Sequence, residues 1–99
     1  MNEGLPSFLN LKVITPHKLL VDEQVSEASL PGLEGDLGIL PGHRPHLIVL
    51  GEGSLSYKWA GGEDRIVVSG GYAEIRGNSV LVFTQKKDDE KNSFDAGRR

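Results

Sequence analysis

The chain has no cysteine, a single tryptophan and no apolar run near the ~20 residues that a membrane-spanning helix requires. The first absence excludes a disulfide scaffold and any thiolate metal site, and it fits a reducing compartment. The start of the chain also lacks a basic stretch followed by a hydrophobic core, so no secretory leader is read there. Charge is short of one sign only slightly: 11 Lys and Arg stand against 14 Asp and Glu, for a net charge of −3. The only adjacent basic pairs are Lys86-Lys87 and Arg98-Arg99, so there is no basic stripe and nucleic acid is excluded as a partner. These absences describe a soluble, cytoplasmic chain that reaches a membrane only through another protein. Its 99 residues allow one domain with one core.

Glycine, by contrast, is abundant, with 13 residues alongside 5 prolines. They concentrate in Pro31 to Pro45, P-G-L-E-G-D-L-G-I-L-P-G-H-R-P. Gly32, Gly35, Gly38 and Gly42 can take positive φ, while Pro31, Pro41 and Pro45 fix φ near −65°. The apolar run Leu37, Ile39, Leu40 is expected to be buried. A stretch so constrained and partly apolar reads as a loop held in one shape, and such loops present residues to partners.

Elsewhere the periodicity is that of strands. Leu9, Leu11 and Val13 alternate with polar residues, Thr15 to Lys18 turns, and Leu19 to Val21 follows. Val25 to Leu30 reads as one strand whose alternation slips, which predicts a bulge. Leu47 to Leu50 is apolar throughout. Leu55, Tyr57 and Trp59 alternate cleanly, and Gly61-Gly62 signals a tight hairpin. Arg65 to Ser69, Tyr72 to Ile75 and Val80 to Phe83 complete the set, the last apolar on both faces and so expected at the centre of a sheet. With no credible amphipathic helix, the fold class is all-β: a flattened antiparallel sandwich or barrel of about ten short strands. The domain is placed at residues 8–85. Residues 86–99, which begin K-K-D-D-E-K-N-S, are expected to be a charged, disordered tail.

No constellation supplies chemistry. His43 and His46 flank Arg44, and with Asp36 they offer zinc two imidazoles and a carboxylate. A third ligand at metal spacing is missing and Arg44 opposes a cation, so a hydrogen-bonding or partner-facing role is the better reading. Glu34 and Asp36 flank Gly35, but no pocket is evident that would tune them as an acid–base pair. Gly51 and Gly53 precede no helix, which removes a phosphate-cradling loop. Ser69 lies between strands and not on a nucleophile elbow. Trp59 and Tyr57 are read as core; if exposed, they would suit a ligand- or peptide-binding sandwich. No catalytic residue, cofactor or metal is assigned.

Read in order, G-D-L-G-I-L-P-G-H-R-P at Gly35 to Pro45, V-V-S-G-G-Y-A-E-I at Val67 to Ile75 and N-S-V-L-V-F from Asn78 are more specific. Together they resemble the N-terminal β-sandwich domain of the epsilon subunit of F-type ATP synthase. The resemblance implies a non-catalytic subunit of the central stalk. Its partners would be the gamma subunit, through an apolar strip on one face, and the membrane rotor ring, through the glycine-rich loop. It would sit peripherally on the cytoplasmic side of the inner membrane, coupling ion flow to ATP synthesis. On that reading Asp36 and His43 are the polar ring contacts, with Glu34 and Arg44 beside them, and Leu37, Ile39, Pro41, Gly42 and Pro45 shape the loop. Most relatives continue into two C-terminal helices that inhibit hydrolysis or bind ATP. The charged residues after Gln85 do not have the pattern for that hairpin, so neither property is carried over.

Overall fold

In the computed structural model, which describes residues 8–85, the alternating segments form two stacked sheets. The strands are β1 (Leu9–Ile14), β2 (Leu19–Val25), β3 (Glu27–Gly32), β4 (Gly35–Ile39), β5 (His46–Val49), β6 (Glu52–Trp59), β7 (Gly62–Ser69), β8 (Tyr72–Arg76) and β9 (Ser79–Phe83). One sheet has the order β2-β1-β9-β8-β5 and the other β4-β3-β6-β7. These nine strands satisfy the all-β sandwich expected from the alternation. The expected tail at 86–99 lies outside the described residues.

The core between the sheets comes from every second residue. Leu9, Leu11 and Val13 of β1, Val80 and Val82 of β9, and Leu30, Ile39, Leu55 and Val68 opposite are all fully buried. Such side chains each contribute roughly 1.5–3 kcal/mol on leaving water. Val80 to Phe83 does occupy the middle of the five-stranded sheet.

Three expectations need correction. Strand β1 runs parallel to β9, Leu11 beside Val80 and Val13 beside Val82, while every other pairing is antiparallel. The alternation slip after Val25 is not a bulge. It is a corner at Ser26, where the chain leaves one sheet for the other and the Ser26 N–H donates to the Lys58 carbonyl at 2.7 Å. An added residue at that point lets Val25 and Ala28 both face the shared core. Finally, Pro31 to Pro45 is not one loop, as described below.

One glycine is dictated by packing. Gly71 has φ +105°, and a Cβ there would overlap the Phe83 carbonyl. The Gly70-Gly71 step therefore lets β7 cross to β8 directly against the end of β9. Buried Thr84 seals the crossing by donating its hydroxyl to the Gly70 carbonyl.

Candidate functional site: the β3–β4 hairpin and the Leu40–Pro45 loop

Half of the constrained stretch is a hairpin. Leu30 pairs with Leu37, Pro31 with Asp36 and Gly32 with Gly35, leaving Leu33 and Glu34 as a two-residue turn. The strand period explains why: Leu37 and Ile39 alternate with Asp36 and Gly38, which sequence density of turn-formers had obscured. Ile39 is fully buried and Leu37 half-buried, but Leu40, expected inside, is 58% exposed. Only Gly35 and Gly42 of the four glycines hold positive φ.

The true loop is residues 40–45, and its first turn follows from its residues. The His43 N–H donates to the Leu40 carbonyl at 3.1 Å, with Pro41 and Gly42 between them and Gly42 at φ +90°. That is a type II turn, which places proline second and glycine third. His43 Nδ1 donates to the Arg44 carbonyl at 2.8 Å. Its ring stacks on His46, centroids 5.9 Å apart and planes within 12°. The two histidines are thus brought together, while His17 belongs to the Thr15–Lys18 turn, where its N–H donates to Thr15 Oγ1. No group of three or more potential ligands gathers among the described residues.

The hairpin is fastened to the end of β5. The Leu33 N–H donates to the Val49 carbonyl at 2.9 Å, and the Gly51 N–H donates to the Pro31 carbonyl at 2.8 Å. Together these two bonds make an antiparallel bridge between Gly32 and Leu50. Between hairpin and β5 lies an open cleft of about 470 Å³, lined by Gly32 to Leu37 on one side and His46 to Val49 on the other. Glu34 and Asp36 are exposed on its rim. Of the residues singled out from sequence, Glu34, Asp36, Gly42 and Arg44 are exposed, and Leu37, Pro41 and His43 half-buried. Ile39 lies wholly within the core and can act on a partner only by shaping the strand.

Sequence reasoning missed a set of exposed apolar side chains. Leu33 is 68% exposed, Leu47 65% and Val49 57%. Leu47 to Leu50 looked uniformly apolar, yet only Ile48 and Leu50 face inward. The signal was present in the position of the strand: an edge strand of wholly apolar residues must show half of them to something outside. Trp59 does not form an open platform. It is half-buried, 5.8 Å from the ring of buried Tyr57, with its indole lying over Gly61.

Residues 8–87 match the family described as the ATP synthase delta/epsilon chain, beta-sandwich domain. The ATP synthase epsilon chain of Nitratidesulfovibrio vulgaris (strain DP4) is 44% identical over 80 residues, 81% of this chain and 60% of the relative. That of Solibacter usitatus is 45% identical over 79 residues, 80% of this chain and 59% of the relative. This chain therefore spans about 60% of the length of these relatives. Among solved structures, a chain of the Euglena gracilis mitochondrial ATP synthase (OSCP/F1/c-ring) superposes with a TM-score of 0.78 at 25% identity, covering 97% of this chain and 65% of that one. A chain from the central stalk/c-ring of the Tetrahymena thermophila mitochondrial enzyme shares the fold, with a TM-score of 0.66 at 19% identity. With the sandwich, the fastened hairpin and the type II turn all inside the matched span, the chain belongs to the ATP synthase delta/epsilon family by its β-sandwich domain.

Proposed function

We propose that this domain is a non-catalytic element of the rotor of an ion-translocating ATP synthase, linking the gamma subunit to the membrane ring. It would sit peripherally on the cytoplasmic side of the membrane, held there by the complex. Family membership supports the stalk role, and the observation that carries the ring contact is the fastened hairpin. A contact that transmits torque works best when the presenting element is already ordered, because docking then costs little conformational entropy. The two backbone hydrogen bonds that make the Gly32–Leu50 bridge supply that order, and Asp36 and Glu34 stand exposed on the ordered frame. Exposed carboxylates suit polar or basic ring loops, with His43 and Arg44 alongside. The apolar outer face of the five-stranded sheet, with Tyr72, Leu47 and Val49 exposed, suits the gamma subunit.

The test is Asp36→Lys in the reconstituted complex. Asp36 is exposed on the edge strand β4 and makes no ion pair among those found between described residues, so the isolated domain should melt as wild type does. ATP-driven ion uptake into vesicles should fall severalfold, while ATP hydrolysis by the detached head is unaffected. Uptake at the wild-type level with Asp36→Lys assembled would remove the ring-facing role of this hairpin.

A further inference from the structure

The two outer faces of the sandwich differ in kind. The outer face of the four-stranded sheet carries Glu27, Ser29, Ser54, Ser56 and Lys58. That of the five-stranded sheet carries an unbroken apolar row: Ile14 beside Phe83, Phe83 beside Tyr72, Tyr72 beside Val49. The Tyr72 and Phe83 rings touch, centroids 5.0 Å apart, which fixes them on one face. The next row reads Asp22, Lys12, Leu81, Glu74, Leu47 across all five strands.

These rows are self-complementary. Consider a two-fold axis lying in the contact plane along β9, the central strand. It leaves Leu81 opposite Leu81 and Phe83 opposite Phe83 of a second copy. Strands β1 and β8, the two neighbours of β9, exchange places across it. Lys12 then meets the second copy's Glu74, Glu74 meets its Lys12, and Ile14 meets its Tyr72. Asn10, in the third row with Ser79 and Arg76, meets Arg76. No like charges are opposed in these rows, and at the rim, where β2 and β5 exchange places, Asp22 meets Leu47. Glu74 already holds Arg76 at 2.8 Å on this face, whereas Lys12, with Asp22 as its neighbour on β2, makes no ion pair among the described residues. Aligned sheets pack about 10 Å apart, within reach of these side chains.

We propose that the free chain pairs with a second copy of itself through the outer face of the five-stranded sheet, in this two-fold arrangement. Five strands about 4.8 Å apart and three outward rows give a face of roughly 400 Å² in projection. That is small beside the roughly 800 Å² per partner of a standard stable interface, so the pair is weak and concentration-dependent. The pairing stands on the register alone. Its consequence, that an unassembled copy withholds this face from the gamma subunit until displaced, rests on the stalk reading above.

Sedimentation equilibrium of the isolated full chain, from about 10 μM to about 1 mM, tests it. The expected result is a weight-average mass that climbs from one chain toward two. Lys12→Glu opposes like charges at two symmetric places and should hold the mass at one chain over the whole range. The double variant Lys12→Glu/Glu74→Lys restores opposite charges and should recover the climb. Leu81→Lys, at the axis, should abolish it, and thermal melts of all variants should stay within a few degrees of wild type, since the three positions lie on the outer face and the changes at Asp22 and Arg76 are those of exposed charges. A wild-type chain that stays monomeric at 1 mM overturns the proposal. So does a pair that Lys12→Glu leaves intact, or that the charge exchange does not rescue. Gamma binding by a monomeric wild-type chain would reject self-pairing while leaving the stalk reading standing.

Discussion

Tyr57 shows how a single residue ties the core to solution conditions. Its ring is buried against Trp59, and burial is the main reason that its hydroxyl ionises above the ordinary tyrosine value. The carboxylates of Asp64, directly across the β6–β7 pair, and of Glu23 push in the same direction. A proton held more tightly in the folded state than in the unfolded one stabilises the fold below the unfolded value, near 10. That contribution disappears as pH rises through the higher folded value. The domain should therefore lose stability in the alkaline range starting near pH 10, and Tyr57→Phe should flatten that part of the profile. Urea midpoints measured from pH 8 to 11 check it. An alkaline slope identical in the variant would place the loss elsewhere, for example in lysine deprotonation.

At the scale of elements, the strands were legible wherever one face was buried. The alternation of Leu9, Leu11 and Val13, or of Leu55 and Tyr57, could be read directly because burial on one side imposes a period of two. The hairpin inside Pro31 to Pro45 was not legible, since a proline and three glycines mask the alternation of Leu30, Leu37 and Ile39. Those residues become a strand pair only because β3 is anchored on β6, a contact that no local pattern announces. The parallel β1–β9 pair was invisible for the same reason. The loop after β4 was legible, because proline followed by glycine carries its own geometry. That makes Gly42 and Gly38 a controlled pair. Gly42→Val forces a β-branched residue to φ +90° and should cost about 1–2 kcal/mol. Gly38→Ala meets nothing within 4 Å at ordinary φ and should be neutral or slightly stabilising, since a strand loses entropy with glycine. Equal melting temperatures for the two variants would remove the argument that the type II turn dictates glycine at 42.

For the whole molecule, the order in which the chain visits its sheets decides how it folds. It lays down β1 and β2 in one sheet and β3 and β4 in the other. It returns for β5, crosses again for β6 and β7, and closes the first sheet with β8 and β9. The five-stranded sheet is not complete until the last strand arrives, because β9 alone joins β1 to β8. The two halves of the five-stranded sheet, and both sheets through the shared core, should therefore form and melt as one unit. Pairing the first strand with the last closes a long chain segment before its contacts are gained, which places folding in the millisecond-to-second range of all-β domains. Trp59 reports on the four-stranded sheet, and Leu11 lies in the other, fully buried. Leu11→Ala should cost about 2–5 kcal/mol. If folding is cooperative, it lowers the urea midpoint read by Trp59 fluorescence as much as that read by far-ultraviolet circular dichroism. Should the Trp59 transition stay at its wild-type midpoint while the dichroism transition falls, the sheets unfold separately and the interleaved order does not couple them.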